Sequence, residues 1–492
     1  MHKKCALILC MLFSLFSCEI SFAQDSSYVD SLTQAVNAHG QSDSSEKDTE
    51  VTPEAKVEGF RLASVSNGTL QDIFNKFWVI IAALLVFFMQ AGFKVFEVGL
   101  VRKKDRNSVG FKNLADWLVV TVAFWGIGFA LMYGKSNSVL IGSSYWGLSG
   151  FGGVKSLSET GYEFFLFQLA FAATTVTIIS GALAVRIRLI SYMILALLVG
   201  GLIYPIFGHW VWGNLLLDSN KAWLGNWGFH DFAGSTVVHS LGAWVALTGM
   251  WFIRPRLGKR IIRKNQIEVL VPNEEYDKFE PHNLGYSVLG VLILWFGWWG
   301  FNGGSTALLE ISETGDSLQF SSKVAKVLFN TNFAAAFGGL AAFGHCLLFQ
   351  GKKRLYEKTL GGVLGALVAI TAGCDVLSPL SSAFVGGLAG VLHNYSFDRL
   401  NERTLFGKII DDPVGAIPVH GVCGILGTLC VALGHQNLAG STSFLEQLGK
   451  QAVGVIVCAL IAIGLSALFF FILRNTVGLE VEPHMEKEGK TI

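Results

Sequence analysis

The strongest constraint in this chain is a succession of apolar runs, each long enough to cross a lipid bilayer. A helix spanning a hydrocarbon core needs roughly 20 apolar residues. Such runs follow one another at 78–100, 114–133, 162–185, 189–213, 232–253, 284–306, 327–349, 361–378, 381–396, 413–433 and 451–473. Their length and their lack of strict alternation predict helices rather than a barrel. The expected fold is therefore an all-α polytopic membrane protein with about eleven transmembrane helices. Composition agrees, because 52% of the 492 residues are hydrophobic and only 15% are charged. A soluble domain cannot hide that much apolar surface behind so few charges. The formal net charge of +1 implies no polyanionic partner, and no basic face for nucleic acid is present.

Charge orients the spans. Arg102, Lys103, Lys104, Arg106 and Lys112 follow the first run, and Arg186 and Arg188 follow the third. Arg254, Arg256, Lys259, Arg260, Arg263 and Lys264 follow the fifth, and Lys352, Lys353, Arg354 and Lys358 follow the seventh. Arg399, Arg403 and Lys408 follow the ninth, and Arg474 follows the eleventh. Loops of the other parity carry scattered lysines such as Lys135, Lys155 and Lys221. The positive-inside rule then puts the N-terminus outside and the C-terminus inside. The start of the chain points the same way. Lys3 and Lys4 precede an apolar run over 5–16, and Ser21-Phe22-Ala23 forms a small-x-small cleavage site. This predicts a signal peptide over 1–23, with acylation at Cys18 as a rival reading. Residues 24–75 are polar and are expected outside the cytoplasm, 76–475 form the membrane domain, and 476–492 form a cytoplasmic tail. Cys346, Cys374, Cys423, Cys430 and Cys458 lie in apolar runs without CxxC spacing, so no disulfide framework and no metal site are expected.

Two stretches repeat one another. Asp231, Gly234, Val238 and His239 recur at the same offsets as Asp412, Gly415, Val419 and His420. The first set opens the fifth run and the second opens the tenth, so five spans separate them and the copies run in opposite directions. That is the pattern of an inverted repeat, whose substrate site lies near the midplane. Eight residues of α-helix rise about 12 Å, which brings both histidines toward the bilayer centre from opposite faces. The two imidazoles are expected to line a pathway, because ionisable residues inside lipid are costly. Each aspartate reads as a helix cap, and Asp231 additionally as a fixed negative charge at the outer mouth. His209 and His345 read as structural.

At this point the residues resemble a known family. DFAGSTVVH (231–239), GWWGFNGGS (297–305), FQLAFA (167–172), HWVWG (209–213), DDPVGAIPVHGVCG (411–424) and MQAGF (89–93) are similar to motifs of the ammonium transporters, the methylammonium permeases and the Rhesus proteins. The resemblance covers about 76 to 480. It implies a homotrimer in the cell membrane, with one pore per subunit, that conducts ammonium or ammonia and takes methylammonium. By motif position it implies an outer recruitment site at Phe167, Trp212 and Ser305, with Asp231 beneath it. It implies a stacked gate of Phe171 and Phe301, and a pore pair of His239 and His420. No cofactor is implied.

The chain departs from the family pattern in places. Lys94 stands where a small or apolar residue is usual, and Glu97 is placed to pair with it. The tail NTVGLEVEPHMEKEGKTI lacks the longer acidic continuation, which argues against a PII-type regulatory partner. Asp375 is an unusual charge near an outer helix end. An ammonium sensor is the alternative, although the short tail holds no signalling domain. A metal-dependent membrane enzyme is disfavoured, because HExxH is absent and neither histidine has further ligands at suitable spacing.

Overall fold

A computed structural model describes residues 66–490 apart from 137, 150–160, 258–260, 265–266, 271–278, 313–316, 353, 403, 406 and 441–442. The predicted signal peptide, Cys18 and most of the 24–75 segment lie outside the described residues.

The chain is built from helices in the order α1 (Asn67–Leu100), α2 (Arg106–Tyr133), α3 (Tyr162–Ala182) and α4 (Leu189–Trp212). A π-helical stretch, Ser235–Ser240, then leads into α5 (Leu241–Phe252). α6 (Leu284–Gly303) and α7 (Ser322–Phe349) follow. After α8 (Leu355–Ile370) and α9 (Pro379–Glu402) come α10 (Ile417–Asn437) and α11 (Phe444–Asn475). Three small antiparallel hairpins sit in the connections: β1–β2 (Ile261–Lys264 with Ile267–Leu270), β3–β4 (Leu309–Ile311 with Leu318–Phe320) and β5–β6 (Thr404–Leu405 with Lys408–Ile409). Among the described residues, eight helices are long and apolar enough to cross a membrane: α1, α2, α3, α4, α6, α7, α10 and α11. The protein is therefore a multi-pass helical membrane protein.

Several helices outrun their apolar cores. α1 starts at Asn67 rather than near residue 78, because Ser66 Oγ accepts the Thr69 amide at 3.2 Å and caps the first turn. Its polar turns are held by the β3–β4 hairpin. Asn75 Oδ1 accepts the amides of Leu308 and Leu309 at 2.8 and 2.9 Å, and Gln71 donates to the Leu309 carbonyl at 3.2 Å. In contrast, α8 stops at Ile370, short of the expected end at 378. The residues beyond it turn, and their carbonyls serve a neighbour. Thr371 O accepts the Ala233 amide at 3.1 Å, and Ala372 O accepts the Phe232 amide at 3.0 Å. Asp375 lies in this turn, 3.1 Å from His230 Nε2 and 3.7 Å from Lys323 Nζ.

α3 is the central helix. Of its apolar window 89% is buried, against 28% for α11 at the periphery. α6 packs along α1, and α7, α8 and α9 pack as a second group. Small residues let these backbones approach, as expected where lipid offers no hydrophobic drive between helices. A Cβ on Gly297 would lie 2.9 Å from the Leu85 carbonyl of α1, and one on Gly386 would lie 2.6 Å from Cα of Ala334 on α7.

The tail forms part of the membrane domain's base. Its short helix, Pro483–Glu488, carries a buried Glu486 whose carboxylate accepts Arg254 Nη1 at 2.6 Å and the Leu257 amide at 2.8 Å. Lys104 donates to the Glu486 and Lys487 carbonyls at 2.5 and 2.9 Å. Arg256 holds Asp411 through a two-pronged pair at 2.9 and 2.8 Å.

Candidate functional site

Two breaks in regular helix position the chemistry. The chain enters the α5 segment through Asp231, whose Oδ1 accepts the Gly234 amide at 3.0 Å and whose Oδ2 accepts the Thr236 and Val237 amides, each at 2.8 Å. It enters α10 through Asp412, whose carboxylate accepts the amides of Val414, Gly415 and Ile417 at 3.3, 3.0 and 2.8 Å. Gly234 and Gly415, each three residues after its aspartate, hold φ values of +113° and +75°. Only glycine adopts those angles without strain. Each turn then starts a π-helical segment, Ser235–Ser240 in one copy and Ile417–Val422 in the other. The Asp-to-His interval is therefore not continuous α-helix, and the rise expected of an α-helix does not measure it. The glycine turn and the wider π winding set the position of each histidine instead.

These segments bring His239 and His420 together. Their rings lie 5.2 Å apart between centroids and within 18° of parallel, with Nδ1 facing Nδ1 at 3.2 Å. His239 is fully buried and His420 is 6% exposed. His239 Nε2 carries no hydrogen bond among the described residues.

Aromatic rings continue the line on both sides. Phe301 lies 5.4 Å from His239, and Phe171 stacks on Phe301 at 4.0 Å and 17°. Phe167 meets Phe171 edge-on at 4.7 Å, and Trp212 meets it at 6.1 Å. The Trp212 indole donates to the Asp231 carbonyl at 2.8 Å, which ties it to the turn that carries His239. Ser305 follows α6 directly, and its hydroxyl donates to the Phe301 carbonyl at 3.2 Å. Beyond the other histidine, Phe93 stands 6.3 Å from His420. Next to it lies a small space of about 10 Å³, lined by residues including Phe93, Glu97, Val414 and His420. The structure thus strings Phe167, Phe171, Phe301, His239 and His420 into one column. The Asp231 carboxylate lies outside that column and is spent on backbone amides.

Two side chains beside this column are not singled out by the sequence. Trp298 stacks on His239 at 5.2 Å and 18°, held by its indole bond to Thr371 Oγ1 at 2.8 Å. Its signal was its place three residues before Phe301, on the same helix face. Phe93 was visible only as part of the Gly-Phe pair that MQAGF shares with GWWGF. One expected pair does not form. Lys94 is exposed on the outside of α1, whereas Glu97 is buried inward, where Oε2 accepts Asn113 Nδ2 at 3.1 Å. The short i,i+3 spacing straddles the edge of the buried face. His209 sits apart from the column and bonds the Met132 carbonyl at 2.7 Å. His345 lies on α7 beside Phe349. Among the described residues, no group of three or more His, Cys, Asp or Glu could hold a metal ion.

The profile of the Ammonium Transporter Family matches residues 77–492. The chain is 37% identical over 430 residues to Ammonium transporter Amt2 of Archaeoglobus fulgidus, covering 84% of this chain and 86% of that one. It is 34% identical over 419 residues to Ammonium transporter Amt1 of Methanocaldococcus jannaschii, covering 85% and 94%. Among solved structures, a Sensor Amt Protein superposes with a TM-score of 0.75 at 37% identity, covering 86% of this chain and 98% of that one. Candida albicans Mep2 superposes with a TM-score of 0.68 at 25% identity, covering 86% and 89%.

Proposed function

This chain belongs to the ammonium transporter family, and from that membership we propose that it recruits ammonium at one face of the membrane and conducts ammonia past His239 and His420. The observation that carries the reading is the pair of buried imidazoles meeting Nδ1 to Nδ1 at 3.2 Å, at the end of a column of stacked phenylalanines. With α5, α8 and α9 added to the eight long apolar helices, eleven cross the bilayer, with the N-terminus outside and the C-terminus inside. The cluster of Phe167, Trp212 and Ser305 is then the outer recruitment site, and Phe171 on Phe301 is the gate.

The chemistry follows from size and protonation. Ammonium and potassium are nearly equal in size, so a pore width cannot separate them. Aromatic faces attract a partly desolvated cation by roughly 1–2 kcal/mol. The Ser305 hydroxyl accepts an N–H directionally, which potassium cannot offer. The dry column beyond penalises any ion by several kcal/mol. Ammonium alone escapes that penalty, by leaving a proton behind and crossing as ammonia. A neutral imidazole donates at one nitrogen and accepts at the other, so the pair offers the polar solute partners where water is excluded. Asp231 fixes the turn that bears His239 and places its own carbonyl under Trp212. We further assign a homotrimer to the cell membrane, with methylammonium as a second substrate.

The test is flux. Purified protein in proteoliposomes should give ammonium-dependent uptake or current that potassium neither supports nor blocks. Folded protein without such flux would remove the proposal. One observation favours a second reading, an ammonium sensor with little net transport: the superposition on a Sensor Amt Protein. Saturable ammonium binding without flux would select it.

A further inference from the structure

The internal repeat extends beyond the histidines. Gly92-Phe93 on α1 matches Gly300-Phe301 on α6, and each phenylalanine stands beside one histidine of the pair. Four residues after Phe301 comes Ser305, next to Gly304, whose missing Cβ would lie 2.8 Å from Phe167 Cε2. Four residues after Phe93 comes Glu97, at the opposite end. The two mouths are therefore built alike, but one carries a hydroxyl where the other carries a carboxyl.

Glu97 is 2% exposed and lines the space beyond His420, together with Phe93, Leu364, Val414 and Gly415. Its carboxyl is held from one side only. Oε2 accepts Asn113 Nδ2 at 3.1 Å and Ser180 Oγ at 3.5 Å, whereas Oε1 carries no hydrogen bond among the described residues. Oε1 points to where α3 and the Asp412 turn converge, because a Cβ on Gly181 would meet it at 2.7 Å and Val414 Cγ2 at 2.8 Å. Oε1 is thus left open to a donor that enters beside it. The phenylalanine, the histidine and the glutamate all line one small space.

We propose that Glu97 forms an ammonium site at the inner mouth, where ammonia leaving His420 is protonated and held before release. The nitrogen lone pair takes the proton of the Glu97 carboxyl. One O–H bond breaks, one N–H bond forms, and an ammonium–carboxylate pair results. Ammonium then leaves to the inner solution, and the carboxylate regains a proton from hydronium there. The proposal rests on the conduction reading above for its direction, while the placement of Glu97 stands on geometry. The titratable and charged groups around Glu97 are Lys112, Asp116 and Tyr192 on α2 and α4, with His420 across the space. Lys112 is turned to the Ile187 carbonyl at 3.1 Å, and Asp116 accepts the Tyr192 hydroxyl.

The full chain is reconstituted with the outer solution fixed and the inner pH varied, and ammonium uptake is measured. Glu97→Gln keeps an acceptor for Asn113 and removes the acid. It should lower maximal uptake about tenfold, flatten its dependence on inner pH, and leave the outer half-saturating concentration unchanged. Glu97→Asp should restore the inner-pH dependence. Glu97→Ser, which copies one mouth onto the other, is the second acid-free variant if the glutamine does not fold. Wild-type uptake and wild-type inner-pH dependence in a folded acid-free variant would overturn the proposal. Absence of uptake in the wild type would instead overturn the conduction reading. Ser305→Ala separates the two mouths, because it should shift the outer half-saturating concentration without touching the inner-pH dependence.

Discussion

At the scale of single residues, His239 and His420 depend on each other because each gives one ring nitrogen to its partner at 3.2 Å. Replacing both with alanine removes the polar partners from the dry column. A lost hydrogen bond to a buried polar group costs about 1–3 kcal/mol. Ammonium uptake by His239→Ala/His420→Ala should therefore fall about tenfold or more, or potassium should begin to pass. Paired uptake assays with ammonium and potassium check it, and unchanged rate with unchanged selectivity removes the histidines from the pathway. The pairing was readable in advance because the Asp-to-His interval occurs twice, and a polar pattern repeated in apolar surroundings is conspicuous. Trp298 and Phe93 were not readable, because the chain holds 13 tryptophans and 38 phenylalanines and one aromatic looks like another. Glu97 was seen but paired wrongly. Spacing along a helix says which residues are near, not which side of the burial boundary each falls on.

Among the elements, glycine contacts decide how closely helices pack. Gly386 of α9 faces the α7 backbone at Ala334, and Gly390 faces the Gly338 carbonyl. Gly386→Val should push these helices apart and destabilise the protein by about 1–3 kcal/mol. Gly344, on α7 itself, has nothing within 4 Å of its missing Cβ. Gly344→Ala should be neutral or slightly stabilising, since alanine favours helix by up to about 1 kcal/mol. Melting temperatures in detergent compare the two, and equal values would mean that the α7–α9 approach is not a stabilising contact. Helix existence was legible from apolar run length, but helix ends were not. α1 begins early because a hairpin distant in sequence receives its polar turns, and α8 ends early because the carbonyls of Thr371 and Ala372 just beyond it are needed by the Ala233 and Phe232 amides. Both causes are tertiary.

Across the whole molecule, the exposed surface is strongly apolar. Phe329, Phe333 and Phe337 form a stacked row along α7, with successive ring distances of 4.0 and 6.3 Å. Such rows face lipid or another subunit. Purified protein in mild detergent should run in native mass spectrometry as three copies, and a stable monomer would refute the trimer. The repeat around the two histidines was legible in four matching positions, yet its consequence lies in a hydrogen too small to see. Only one hydrogen fits between the facing Nδ1 atoms of His239 and His420. With both rings neutral, the donor's Nε2 is bare and the acceptor's Nε2 bears a hydrogen. Two like halves thus make an unlike pair, which points one way at any instant. A proton relayed from His239 Nε2 to His420 Nε2 by successive exchanges would leave that arrow reversed. The same relay could not run again until the arrow turned back, so a pair that relayed a proton would keep a one-bit memory of the last one to cross it.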